Sequence, residues 1–225
     1  MIITIDGPAG SGKSTAARNL AKALGIAFLD SGATYRAAVW KAMQAGLDLD
    51  DEQAVAASTR SAEMHFVRQG DALQVLLDGQ DVTGDIRRPE VSENASRIAR
   101  SPAVRAVLVE MQRNLGAELG SFVTEGRDQG SVVFPNADVK FYLDASPQTR
   151  ARRRCDELCQ AGHDADHDEV LAAIIDRDQR DSSRSAAPLV CPDGAICIDT
   201  SDNTIEQTMQ QLLDAVRSLG PEKGS

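Results

Sequence analysis

The sequence predicts an α/β fold in which a five-stranded parallel sheet is flanked by helices. Three observations carry that expectation. The β-branched run Ile2–Asp6 stops at Gly7-Pro8 and reads as a short buried strand. A helix follows over Lys13–Leu24, with Ala16, Ala17, Leu20 and Leu24 apolar and Gly25 as its C-cap, and a second apolar run comes at 26–29. A strand–loop–helix–strand opening of this kind builds parallel sheets. Later runs at 122–124, 139–143 and 195–198 supply the other strands.

The middle of the chain has a different pattern. Short strand-like runs at 64–68 and 73–77 flank Gln69-Gly70-Asp71, and Asp78-Gly79 leads to Asp81-Val82-Thr83. This predicts a small antiparallel insertion at about 62–85, followed by a helical stretch at about 89–116. The charged region 150–184 is mostly helical, breaks at Ala161-Gly162 and is the candidate for a mobile lid. A final helix at about 204–219 carries Ile205, Met209, Leu212, Leu213, Val216 and Leu219 on one face, with Asn203 and Glu206 as its start signal. The organisation expected is one domain, 1–225, with an inserted subdomain at about 62–116 and a lid at about 150–184.

Composition narrows the function. Of 225 residues 42% are hydrophobic, enough for a core, but only 4% are aromatic, so that core is built from Ala, Val, Ile and Leu. Lys and Arg number 24 against 34 Asp and Glu, a net charge of −10. That excess of acid argues against polymeric nucleic acid as a partner, because backbone binding rests on basic charge. Small phosphorylated ligands need only a local basic pocket. No apolar run reaches the ~18 residues of a membrane span. The chain enters its first strand without a basic leader, so a cytoplasmic protein is expected. The four cysteines are expected as thiols. Cys191 and Cys197 are expected as small core residues near the last strand.

The sharpest motif is Gly7-Pro8-Ala9-Gly10-Ser11-Gly12-Lys13-Ser14-Thr15, which matches G-x-x-x-x-G-K-[ST] at every fixed position. Glycines let the backbone N–H groups wrap phosphates, and the helix start adds its positive dipole end. Lys13 is suited to the β/γ-phosphates, and the Ser14 hydroxyl to Mg²⁺. The loop therefore points to a nucleoside triphosphate with Mg²⁺, without deciding between kinase and hydrolase. No Asn-Lys pair exists to read guanine, and Asp81-Val82-Thr83-Gly84 lies in the insertion, where it reads as a turn. The run Phe122-Val123-Thr124-Glu125 is the nearest approach to the acidic strand of a mechanical ATPase, but it continues directly into Gly126-Arg127-Asp128.

Arginines sit beside turn signals. Arg36 and Arg127 follow core strands, where open α/β sheets bind ligands. Arg87, Arg105, Arg177, Arg180 and Arg184 add to the set. Arginine suits bidentate phosphate contacts and the charge that spreads during phosphoryl transfer. Cys155, Cys159, His163 and His167 recur every four residues and match zinc-ligand spacings by count. On one helix they would spread over roughly 18 Å, so one helix face followed by a polar loop is the expectation.

Taken together, these motifs resemble the bacterial cytidylate kinase (CMP kinase) family over about residues 2–218. The resemblance rests on Ile5-Asp6-Gly7-Pro8 through Thr15, Asp30-Ser31-Gly32-Ala33 with Tyr35-Arg36, Gly126-Arg127-Asp128, Val132-Val133-Phe134-Pro135, and Arg177-Asp178 through Arg184 with Ala187-Pro188-Leu189. It implies a P-loop kinase fold whose insertion binds CMP, and ATP-dependent phosphorylation of CMP and dCMP; a monomer is expected. By motif, Ser31, Arg36, Arg127 and Arg184 hold the CMP phosphate, with Arg87 nearby. Ser96, Arg105, Arg127 and Asp128 read the cytosine edge, and Arg177 and Asp181 meet the sugar hydroxyls. Lys13, Arg36, Arg127, Arg177 and Arg184 form the catalytic cation set. Two positions depart from the pattern: Lys13-Ser14, where Lys-Gly is common, and Thr34, where an apolar residue is common. The acceptor is an anionic phosphate oxygen, so no general base is expected. A P-loop kinase for another acceptor, such as UMP or a non-nucleotide, and a non-catalytic nucleotide-binding regulator stay open.

Overall fold

A computed structural model describes residues 1–69, 72–160, 162, 164–183 and 188–219, with only the backbone at 68, 69, 72, 73 and 219. The chain forms two compact units, Met1–Phe28 with Ser121–Ser225, and Leu29–Gly120.

The first unit is organised by strand β1 (Ile2–Asp6), whose last four residues are buried. It pairs in parallel with β6 (Phe122–Gly126) on one side and β7 (Val139–Asp144) on the other, setting Ile3 opposite both Val123 and Val139. With β2 (Ala27–Asp30) and β8 (Ile196–Asp199) the sheet order is β2-β6-β1-β7-β8. Near-continuous apolar strands are what a parallel sheet covered on both faces requires. Helix α1 (Lys13–Leu24) lays Ala16, Ala17 and Leu20 into a core with Ile3, Ile5, Phe141 and Leu143. Helix α8 (Ile205–Leu219) closes that core with Leu212 and Val216. The start of α8 differs from the Asn203/Glu206 expectation. Gln207 Oε1 accepts from Thr204 N–H and Thr204 Oγ1 accepts from Gln207 N–H, a reciprocal box one residue later. The charged region expected at about 150–184 holds two helices, α6 (Pro147–Gln160) and α7 (His167–Ser182), the second capped by Asp166. Cys191 and Cys197 are exposed rather than in the core. Cys197 falls on the outward side of β8, while Ile198 takes the buried side.

The second unit holds helices α2 (Ser31–Gln44) and α3 (Glu52–Arg60), a three-stranded antiparallel sheet, and helices α4 (Pro89–Ile98) and α5 (Pro102–Leu119). Its strands are β3 (Met64–Gln69), β4 (Ala72–Leu77) and β5 (Gln80–Asp81), in that order. The single helical stretch expected at 89–116 is broken, because Ser101 caps a new helix and Pro102 occupies its first turn. Asp81-Val82-Thr83-Gly84 is a turn: Asp81 Oδ1 accepts from both the N–H and the hydroxyl of Thr83.

Candidate active site

The site is built at the carboxyl ends of the first unit's strands, where β1 changes direction into the glycine-rich loop. Gly7 is obligatory there: its φ is +148°, and a Cβ would stand 2.0 Å from the Leu143 carbonyl oxygen. Helix α1 opens directly on Lys13, and no side chain caps it at Gly12. An uncapped helix start beside a glycine loop leaves N–H groups available to an anion. The loop's outer face is braced. Thr200 donates to the Ser11 carbonyl at 3.1 Å, and Arg150 Nη1 to the Ala9 carbonyl at 3.2 Å. Lys13 Nζ donates to the Pro8 carbonyl at 2.6 Å and is almost fully buried.

Burial sets the electrostatics. Desolvation, helped by the neighbouring Arg127, pushes Lys13 down to about 7, against the pull of Glu125 and Asp6. Asp6 is fully buried and accepts from Gln129 N–H at 2.8 Å and Gly130 N–H at 2.7 Å. Desolvation nevertheless raises it to about 6. These two bonds clamp the single π-turn Gln129–Val133, which follows Arg127 and Asp128, to the strand that precedes the loop. Ser14 donates to the buried Glu125 carboxylate at 2.9 Å. A hydroxyl beside one carboxylate suits Mg²⁺, which keeps waters and shares its remaining ligands with phosphates. Among the described residues no group of three or more His, Cys, Asp or Glu side chains is placed to hold a metal. His163 lies outside the described residues, while Cys155 and Cys159 lie on α6 and His167 opens α7.

Helix α7 contributes two acids on adjacent turns. Asp181, 2% exposed, accepts from Arg127 Nε at 3.0 Å, with Arg177 Nε 4.0 Å away. Asp178 takes a bidentate pair from buried Arg150, at 3.0 and 2.6 Å. Pro8, Tyr142, Ser146, Arg150 and Asp178 line a cleft of about 440 Å³. Arg184 lies outside the described residues.

The second unit's candidates are organised around α2. Asp30 caps that helix through Ala33 N–H and holds Arg36 Nη2 at 3.0 Å, so one carboxylate fixes both the helix start and the arginine. Ser31 is buried. Arg105, 6% exposed, donates to the Tyr35 hydroxyl at 3.1 Å. Gln112 of α5 donates to Thr34 Oγ1 at 2.8 Å, which gives the unusual Thr34 a buried polar partner. Ser96 donates to the Glu93 carbonyl, and Arg87 is exposed on the short 3₁₀ turn Asp85–Arg87.

Sequence reasoning assigned no role to Glu125, Arg150, Thr200 or Asp30, and gave Asp6 none beyond its motif. Asp6 carried a signal, as an acid closing an apolar strand. Arg150 carried none, being one of four arginines between 150 and 154.

A cytidylate kinase family profile matches residues 3–218. Among curated proteins, the cytidylate kinase of Caldanaerobacter subterraneus subsp. tengcongensis is 44% identical over 215 residues, covering 96% of this chain and 94% of its own. That of Pelotomaculum thermopropionicum is 45% identical, with 95% of each chain covered. That of Corynebacterium glutamicum is 43% identical, covering 97% and 95%. The crystal structure of an uncharacterized protein from Eubacterium ventriosum shares the fold, with a TM-score of 0.53 at 13% identity, covering 97% of this chain and 99% of its own. With its glycine-rich loop intact and its match running nearly end to end, this chain belongs to the cytidylate kinase family.

Proposed function

We propose that the protein transfers the γ-phosphoryl group of ATP to CMP and dCMP, producing CDP and dCDP with ADP. The observation that carries this reading is the family match across residues 3–218. The loop 7–15 cradles the donor phosphates with its N–H groups, and the buried Lys13 leaves the Pro8 carbonyl for them. Ser14 and Glu125 hold Mg²⁺, which neutralises charge on the donor phosphates when bound. Ser31, Arg36, Arg127 and Arg184 hold the acceptor phosphate, with Arg87 beside them. Ser96, Arg105 and Asp128 serve the base, and Arg177 and Asp181 the sugar, while Asp181 also orients Arg127. The acceptor oxygen is already anionic, so the chain supplies positioning and charge rather than a general base.

Residues 62–116 act as the CMP-binding insertion in this reading, and 150–184 as the lid that excludes water. The enzyme works as a monomer in the cytoplasm, where ATP and nucleoside monophosphates meet. Among the described residues no helix is long and apolar enough to cross a membrane. The test is a coupled assay with ATP and each nucleoside monophosphate. ADP release should depend on CMP or dCMP, with UMP far slower. Equal turnover of other acceptors, or none at all, would overturn the assignment.

A further inference from the structure

The exposed sulfurs of Cys191 and Cys197 lie 3.0 Å apart. The backbone brings them together. A turn closed by Ala195 N–H on the Pro192 carbonyl, with Gly194 at φ +73°, returns the chain to β8 six residues after Cys191. Both ends of this segment are held. Leu189 N–H donates to the Asp181 carbonyl at 2.9 Å, and Cys197 sits opposite Tyr142 in the β7–β8 ladder. Pro192 is buried against Gly130, where an added Cβ would be 3.2 Å from its ring. The thiols are therefore kept as neighbours by packing on either side, at the edge strand of the sheet.

We propose that Cys191 and Cys197 form a modification site, a surface dithiol that closes to an intrachain disulfide on reaction with a peroxide or a low-molecular-weight disulfide. With hydrogen peroxide, one thiolate sulfur attacks a peroxide oxygen, the O–O bond breaks, and a sulfenic acid and water result. The second sulfur then displaces the sulfenic oxygen, forming S–S and releasing a second water. Two thiols lose two protons and two electrons, and one peroxide accepts both as two waters. The separation exceeds a disulfide bond, about 2.05 Å, by less than the reach of a side-chain rotation. Desolvation and the hydrogen bond with Cys197, with Asp6 and Asp193 nearby, push the Cys191 thiol up to about 11. Cys191 is thus a protonated thiol near neutral pH, which slows its reaction with an oxidant.

Peptide mapping of the full chain tests this directly. No Lys or Arg lies between Arg184 and Arg217, so both cysteines share one tryptic peptide, while Cys155 and Cys159 fall in another. After hydrogen peroxide treatment the first peptide should be lighter by about 2 Da and refuse iodoacetamide until reduced. The melting temperature of the oxidised protein should rise by a few degrees, as a constrained unfolded chain predicts. Cys197→Ser should leave Cys191 alkylatable, Cys191→Ser should leave Cys197 alkylatable, and either should abolish the rise. Two freely alkylated cysteines after prolonged excess peroxide would overturn the proposal. So would only sulfinic or intermolecular products.

Discussion

The two units carry their charges in opposite ways. The first buries Asp6, Lys13, Glu125, Asp128, Arg150 and Asp181, whereas Arg105 is the one buried charged side chain among the described residues of the second. Arg36, the second unit's phosphate candidate, keeps 23% of its side chain exposed. Buried charges cannot relax toward water, so the first unit is an electrostatic device set in advance, at a cost in stability. In the second unit the partly exposed Arg36 is held by Asp30, the carboxylate that also caps α2, which suits a surface that adjusts to its ligand. The first unit should therefore govern turnover and the second acceptor affinity.

Lys13→Ala gives the sharpest test of that division. Losing one preorganised cation should lower kcat by about a hundredfold or more. The melting temperature should hold or rise, because a desolvated ammonium is removed. A variant with near-normal kcat would remove Lys13 from the machinery.

Arg36→Ala should act on the other side. Loss of a charge-assisted bond, about 1.5–3 kcal/mol, should cut kcat/KM for CMP by roughly ten- to a hundredfold. Calorimetric ATP affinity should stay within about twofold. A matching loss of ATP affinity would erase the contrast between the units.

Asp181→Ala should lower kcat/KM for both CMP and dCMP by about tenfold, because Arg127 loses its partner. The CMP:dCMP ratio should also shift if Asp181 meets the sugar. An unchanged ratio in parallel assays would confine Asp181 to holding Arg127.

Lys13 also predicts a proton effect. At pH 8, above its value of about 7, the empty site holds it largely neutral. Bound triphosphate should restore the ammonium, with uptake of up to about one proton. Titration calorimetry in buffers of different ionisation enthalpy should show this at pH 8 and much less at pH 6. Lys13→Met should abolish it.

Asp6 should give the smallest signal. Its folded value, raised to about 6, means the native state binds this proton more tightly than the unfolded chain does. Its burden on stability is therefore full above about 6 and lifts as pH falls toward the ordinary carboxylate range. Relative to Asp6→Asn, wild type should gain about 1 kcal/mol or more between pH 7 and 5 in urea melts. A constant difference would mean Asp6 titrates normally.

Local chemistry made part of this protein legible in advance. The strand, the glycine loop, Lys13 and the helix behind it lie within 24 residues, and each is imposed by its own φ, period or cap. The five strands and the antiparallel insertion follow from the same short-range rules. The break at Pro102 and the Thr204 box were legible too, but depend on single residues that periodicity passes over. What only the tertiary structure decided are pairings between distant positions. Asp6 meets Gln129 and Gly130 across 123 and 124 residues, Ser14 meets Glu125 across 111, and Arg150 meets Ala9 across 141. Residue type and spacing say that an arginine or a carboxylate is present. Which one is buried, and therefore which one has its charge shifted and its direction held, depends on what the folded chain packs against it. The two cysteines make the same point: an apolar-looking run put them inside, and the alternation of an edge strand turned Cys197 out to meet Cys191.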